Sequence, residues 1–268
     1  MNRITKRLQE TRSAGRAALV PYLMAGDPGI ASTARAMHAL VEGGADLIEL
    51  GIPFSDPIAD GPVIQAAAGR ALSRGVSLDT VLDILVEFRI HDSSTPVLLM
   101  GYLNPIEQMG WRRFVDASVD AGADGLLLVD LPPEEAEEMY PYMQNCDLLP
   151  ISLVAPTTDE NRLRLIAGVA RGFIYYIAVK GITGAAHDFD MNQLQSRIEW
   201  IRRHVDIPIG IGFGVRNADI AAQCARVADL VIVGSALVEL LASQKDETVL
   251  LQTARNWISE LSLVMGRE

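Results

Sequence analysis

Apolar runs of strand length alternate along this chain with stretches in which apolar residues return every three or four positions. The runs cover residues 18–23, 46–50, 96–101, 125–129, 148–154, 173–178, 207–211 and 230–233. Between them, groups such as Ala36, Leu40 and Val41, Val81, Leu82 and Leu85, or Leu194, Ile198 and Ile201 keep the spacing of one helix face. Near-continuous strand hydrophobicity marks strands covered on both faces, and strands separated by helices pair in parallel through right-handed crossovers. About eight such units predict an α/β fold of the TIM (β/α)8 barrel type. The expected organisation is a single domain, with an extra N-terminal helix over 1–15 and the barrel over 16–268. Ile4 and Leu8 are expected to face the barrel floor, and residues 240–263 to form one long closing helix. Ala45-Asp46, Ala123-Asp124 and Ala228-Asp229 each precede a strand-like run, a repeat that supports the fold and says nothing of function.

Composition narrows the setting. With 268 residues, 49% of them hydrophobic, the chain is long enough for one large core. Its net charge of -11 leaves no basic stripe to displace phosphate counterions, which argues against a nucleic-acid partner. Cys146 and Cys224 lack metal-type spacing and fit free thiols in a reducing cytoplasm. The charged N-terminus does not read as a secretory signal, and no apolar run approaches the ~18 residues of a membrane span. No His-Glu or His-Cys spacing suggests a metal, and of the four histidines only His187, in a loop, merits testing.

The most informative segment is 46–62, Asp-Leu-Ile-Glu-Leu-Gly-Ile-Pro-Phe-Ser-Asp-Pro-Ile-Ala-Asp-Gly-Pro. It sets Glu49 among Leu47, Ile48 and Leu50, then opens into a Pro- and Gly-punctuated loop carrying Asp56 and Asp60. A carboxylate inside an apolar strand is costly unless it is paired or its pKa rises, so Glu49 is a candidate proton carrier; an ordinary strand-end ion pair is the bland alternative. Glycines form the second chemical feature: Gly181 and Gly184, Gly212 and Gly214, and Gly234-Ser235 follow the last three strands. Single Gly-x-Gly pairs are ordinarily tight turns, but three sets at adjacent strand ends predict a backbone phosphate site where a helix N-terminus supplies unpaired N–H groups.

These residues carry a resemblance. Glu49-Leu-Gly-Ile-Pro-Phe-Ser-Asp-Pro-Ile-Ala-Asp-Gly-Pro62, Ala25-Gly-Asp-Pro28, Met100-Gly-Tyr-Leu-Asn-Pro105, Asp130-Leu-Pro-Pro-Glu-Glu135, Ala155-Pro-Thr-Thr158, Gly181-Ile-Thr-Gly-Ala185 and Gly212-Phe-Gly-Val215 together resemble the tryptophan synthase alpha subunit family. The resemblance runs from about Ala18 to Leu240. It implies a cytoplasmic lyase of tryptophan biosynthesis that cleaves indole-3-glycerol phosphate to indole and glyceraldehyde 3-phosphate by a retro-aldol reaction. It also implies no cofactor in this chain, with pyridoxal phosphate confined to a partner beta subunit of an alpha2-beta2 heterotetramer. Glu49 and Asp60 match the family's catalytic carboxylates; the chemistry expects Glu49 to titrate high and Asp60 to stay charged. Tyr22, Met100, Tyr175, Thr183 and Phe213 match substrate-binding positions, and Gly184, Gly214, Gly234 and Ser235 match phosphate contacts.

Two positions depart from the family pattern: Ala178 stands where many members carry Ser, and Met24 where Thr is usual. Neither is expected to touch the carboxylates. Tyr102 and Asn104 read as loop scaffolding, and Asp130 as a residue without a primary role. Three alternatives remain: a stand-alone indole-releasing lyase, a class I aldolase forming a Schiff base on Lys180, or mainly a regulatory barrel partner. Parity argues against Lys180, since an inward Tyr175 sends it outward along a regular strand. Apolar residues of the mouth loops, among them Pro53, Phe54, Pro57, Ile58, Leu103, Pro105, Ile106, Met109 and Leu131, either roof the site or form a docking face.

Overall fold

The computed structural model describes residues 1–177, 191–212 and 214–266. Among these, nine parallel strands form one sheet. They are β1 (Ala18–Met24), β2 (Ile48–Gly51), β3 (Val97–Gly101), β4 (Gly125–Leu128), β5 (Leu149–Pro150), β6 (Ser152–Val154), β7 (Ile174–Tyr176), β8 (Ile209–Gly212) and β9 (Leu230–Val233). Their order is β5-β4-β3-β2-β1-β9-β8-β7-β6. The two ends of that order, β5 and β6, are the halves of the single run expected over 148–154. The run changes neighbours at Ile151: β5 pairs with β4 and β6 with β7, so the ring closes as an eight-membered TIM barrel.

Twelve α-helices are described: α1 (Arg3–Ser13), α2 (Ile30–Glu42), α3 (Pro62–Ser73), α4 (Leu78–Arg89), α5 (Leu103–Met109), α6 (Trp111–Ala121), α7 (Met139–Asn145), α8 (Glu160–Val169), α9 (Met191–Arg202), α10 (Ala218–Val227), α11 (Ser235–Ala242) and α12 (Glu247–Val264). None is long and apolar enough to cross a membrane. The closing segment is two helices and not the one expected over 240–263. Asp246 accepts a hydrogen bond from Val249 N–H and caps α12, restarting the helix after the chain has turned. The stretch around Asn104, expected as loop, is the short helix α5.

Strand alternation divides the apolar residues into two layers. Val20, Leu47, Leu98, Leu127, Phe173 and Leu230 point into the barrel, where Ile4 and Leu8 of α1 close the floor as the sequence predicts. Intervening residues such as Leu19, Ile48, Leu50 and Leu99 pack outward beneath the helices. The repeated Ala-Asp pairs have a common task at the floor. Asp46 accepts from Leu19 N–H at 3.0 Å, Asp124 from Val97 N–H at 2.8 Å and Asp229 from Ile209 N–H at 3.0 Å. Each aspartate thus caps the start of a neighbouring strand, and each also holds arginine: Arg16 for Asp46, Arg3 and Arg89 for Asp124, Arg202 for Asp229. Glu49, by contrast, lies at the other end of the barrel.

Candidate active site

Strand register brings the first two functional side chains together. Tyr22 on β1 pairs with Glu49 on β2, and Glu49 pairs in turn with Leu98 on β3, so all three project from the same face. That face is inward, because Leu98 and the residues at the same parity on β1, Ala18 and Val20, belong to the inner layer. Glu49 is 1% exposed, and neither of its carboxylate oxygens has a hydrogen-bond partner among the described residues. Removal from water, with a smaller contribution from the nearby Asp60 charge, pushes the Glu49 pKa from 4.5 up to about 8. At neutral pH the side chain is therefore mostly protonated, as the chemistry expects.

Asp60 reaches the same space from the loop after β2. Its N–H donates to Pro57 O at 3.0 Å and its carbonyl accepts from Gln65 Nε2 at 2.8 Å, which fixes the backbone just before α3 begins at Pro62. Asp60 is half-buried, and that burial raises its pKa; hydrogen bonding from Tyr102 opposes the rise. Tyr102 is thus part of the site and not mere scaffolding. Its hydroxyl accepts Ala59 N–H at 3.1 Å, faces the Asp60 carboxylate, and is pushed up to about 12 by burial and by that charge. Phe54 packs on the Tyr102 ring at 5.4 Å between centroids. A signal for this role existed in the sequence: two residues beyond the inward-facing Met100, Tyr102 continues the same alternation. Asp56 is exposed and bonded by Ser55, outside the constellation.

Two tyrosines occupy space that glycines leave open. Tyr22 pairs with Glu49, and two residues further along β2 a Cβ on Gly51 would overlap the Tyr22 hydroxyl. Tyr175 on β7 pairs with Gly210 on β8, and two residues further a Cβ on Gly212 would overlap the Tyr175 hydroxyl. Gly212, expected in a phosphate-binding turn, therefore makes room for a ring. Both phenols are buried and held well above their usual pKa, by burial first and then by the Glu49 and Asp60 charges. Met24, two residues beyond Tyr22, lies with its sulfur 3.9 Å from the Tyr22 hydroxyl. The departure at Met24 leaves the carboxylates untouched but bears on a ring beside them.

Met100 is half-buried, and Leu153 and Ile177 join it against the inner layer. The sequence reading missed Leu153 and Ile177, although both follow the inward parity of their strands. On the β8–β9 side, Gly214 takes a left-handed φ of 66°, with open space where a Cβ would stand. Gly234 precedes α11, whose first residue is Ser235, and no side chain among the described residues caps that helix start. Its free N–H groups are available to an anion. Thr183, Gly184, Phe213, Ala178, Lys180 and His187 lie outside the described residues. Asp130 accepts Leu103 N–H at 2.8 Å and so caps α5. Of the mouth-loop residues, Pro53, Ile106 and Leu131 are buried, which removes them from any docking face, whereas Ile58 is 86% exposed.

Among the described residues the arrangement is two carboxyl groups without a cation between them, in an apolar mouth next to an anion-ready helix start. A family model described as tryptophan synthase alpha chain matches residues 8–262. The chain belongs to the tryptophan synthase alpha chain family. Among its relatives, the tryptophan synthase alpha chain of Methylococcus capsulatus is 52% identical over 267 residues, covering 100% of this chain and 98% of that one. The alpha chain of Thioalkalivibrio sulfidiphilus is 50% identical, covering 100% and 99%. In three dimensions the chain is similar to tryptophan synthase subunit alpha from Legionella pneumophila, with a TM-score of 0.91, 41% identity, and 99% and 98% of the two chains covered. A tryptophan synthase structure from M. tuberculosis gives a TM-score of 0.88 at 34% identity, with both chains covered in full. The motif containing Glu49 and Asp60 is thus read in its own family's fold, a tryptophan synthase alpha barrel.

Proposed function

We propose that this chain cleaves indole-3-glycerol phosphate to indole and glyceraldehyde 3-phosphate, with Glu49 as the proton carrier and Asp60 as the partner of the ring nitrogen. The observation that carries the assignment is the buried Glu49, unpartnered among the described residues and protonated up to about pH 8, beside a second carboxyl group. Protonated Glu49 gives its proton to indole C3, which places positive charge on the ring N–H. Ionised Asp60, accepting that N–H in a water-poor site, stabilises the charge. Glu49, now a carboxylate, takes the proton of the hydroxyl next to the ring as the carbon–carbon bond breaks and its electron pair returns to the ring. The aldehyde forms, and Glu49 ends the cycle protonated again.

The remaining groups bind. Met100, Leu153, Phe213 and the rings of Tyr22 and Tyr175 surround the indole, Thr183 binds substrate, and the α11 start with Gly234, Ser235 and Gly214 receives the phosphate, joined by Gly184. The scheme needs no metal and no organic cofactor in this chain. Indole passes to a pyridoxal-phosphate-dependent beta subunit in an alpha2-beta2 assembly in the cytoplasm, and the exposed Ile58 beside Asp60 belongs to the face presented to it. Assay of indole release by the purified chain, alone and with a beta subunit, tests the proposal: release in both, larger with the partner, supports it. Indole release undiminished in Glu49→Gln refutes the roles assigned here.

A further inference from the structure

Two buried polar groups in the barrel mouth lack a strong hydrogen-bond partner among the described residues, and they project from paired positions on adjacent strands. One is Glu49, whose two oxygens are unpartnered. The other is the Tyr22 hydroxyl, whose one neighbour of this kind is the Met24 thioether at 3.9 Å, a weak acceptor. Packing alone does not call for this hydroxyl. A phenyl ring would fill the space over Gly51 without burying a polar atom. Register sets the Tyr22 and Glu49 backbones about 4.8 Å apart with side chains on the same face. The missing side chain at Gly51 lets the longer phenol extend past Glu49 toward the mouth, where substrate enters.

We propose that the Tyr22 hydroxyl is a specificity-determining group that exchanges the Met24 sulfur for the substrate hydroxyl adjacent to the indole ring. This rests on the reaction assigned above. The substrate oxygen is then held between two groups: it donates its proton to Glu49 and accepts a hydrogen bond from Tyr22. As the carbon–carbon bond breaks, that oxygen becomes the aldehyde oxygen, which still accepts from the phenol. Tyr22 keeps its own proton throughout, consistent with burial and the Asp60 and Glu49 charges, which hold the phenol protonated. The site thereby distinguishes a hydroxylated chain from one without oxygen at that carbon.

The test is a comparison of two ligands on the Tyr22→Phe variant of the full chain. Indole-3-glycerol phosphate carries the hydroxyl next to the ring and a second one on the following carbon, whereas indole-3-propanol phosphate has the same ring and phosphate with neither. Loss of one neutral hydrogen bond predicts that kcat/KM for the substrate falls about 3- to 10-fold, while the inhibition constant of the propanol analogue stays within about twofold. An equal loss for both ligands, or no loss for either, overturns the inference, since the hydroxyl would then only shape the space or do nothing. Glu49→Gln is assayed in parallel. If it still releases indole, the underlying reaction scheme fails and the inference with it; if it is inactive and Tyr22→Phe does not discriminate, only the inference falls.

Discussion

The two ends of this barrel treat buried carboxylates in opposite ways. At the floor, Asp124 is 2% exposed, yet it accepts Val97 N–H and lies 2.9 Å from both Arg3 and Arg89; Asp46 likewise takes Arg16 through two bonds of 2.6 and 2.7 Å. At the mouth, Glu49 is as deeply buried and has neither a cation nor an N–H among the described residues. Burial raises both Asp124 and Glu49, but at Asp124 the hydrogen bonds and arginines pull against it, and at Glu49 the neighbouring Asp60 charge adds to it. The floor uses charge to fix strand starts. The mouth keeps a carboxyl group short of partners, so that its proton remains available for chemistry.

The sharpest break between the two regions is expected from Glu49→Gln, which keeps size and burial and removes the titrating proton. Indole release should fall by roughly two to four powers of ten, the usual worth of a positioned acid-base group, with the fold intact by circular dichroism. At the floor the effect should move to stability. Asp124→Ala removes the acceptor of Val97 N–H and the carboxylate facing Arg89, which keeps its carbonyl partners Gly122, Asp92 and Thr95, and should cost about 3–5 kcal/mol in urea unfolding, with activity per folded molecule retained. If that variant instead lost activity while staying stable, the division of labour would be wrong.

A pH titration separates the ends without a large perturbation. Because the folded pKa of Glu49 lies above its unfolded value, the folded state binds the extra proton between about 4.5 and 8. Its contribution to stability is present in full below that window and is lost as pH rises through it, at ~1.4 kcal/mol per pH unit. Glu49→Gln should flatten this part of the stability curve, and kcat/KM of the unmutated chain should decline above about pH 8 as the proton donor is lost. The smallest effect is expected for Tyr102→Phe. Removing the hydroxyl that serves Ala59 N–H and Asp60 should lower kcat about 3- to 10-fold, and also raise the acid-side pKa of the rate profile, a shift that loosened packing alone would not produce.

Legibility in the sequence followed the range of the interactions involved. The barrel and the candidate carboxylates were readable because their signals are local: apolar runs alternate with helical spacing, and the single segment from Asp46 to Pro62 carries both Glu49 and Asp60. Ile4 and Leu8 at the floor were readable from the same periodicity. Tyr102 was under-read because its meaning depends on where the β2 loop folds back, and the break at Asp246 was missed because a polar cap competes with continuing helical spacing only once the chain's path is set. The Ala-Asp repeat was visible, but its work, reaching a strand start 20 to 27 residues away in the chain, was not.

By itself the sequence determined which residue types the reaction has at hand and the parity that turns Glu49, Met100 and Tyr175 inward, since side-chain alternation and apolar burial are properties of short segments. Only the tertiary structure decided that Glu49 has no partner among the described residues, that Tyr102 braces Asp60, and that Gly51 and Gly212 make room for Tyr22 and Tyr175. Those outcomes depend on desolvation and on contacts between strands distant in the chain, and neither exists until the barrel has closed.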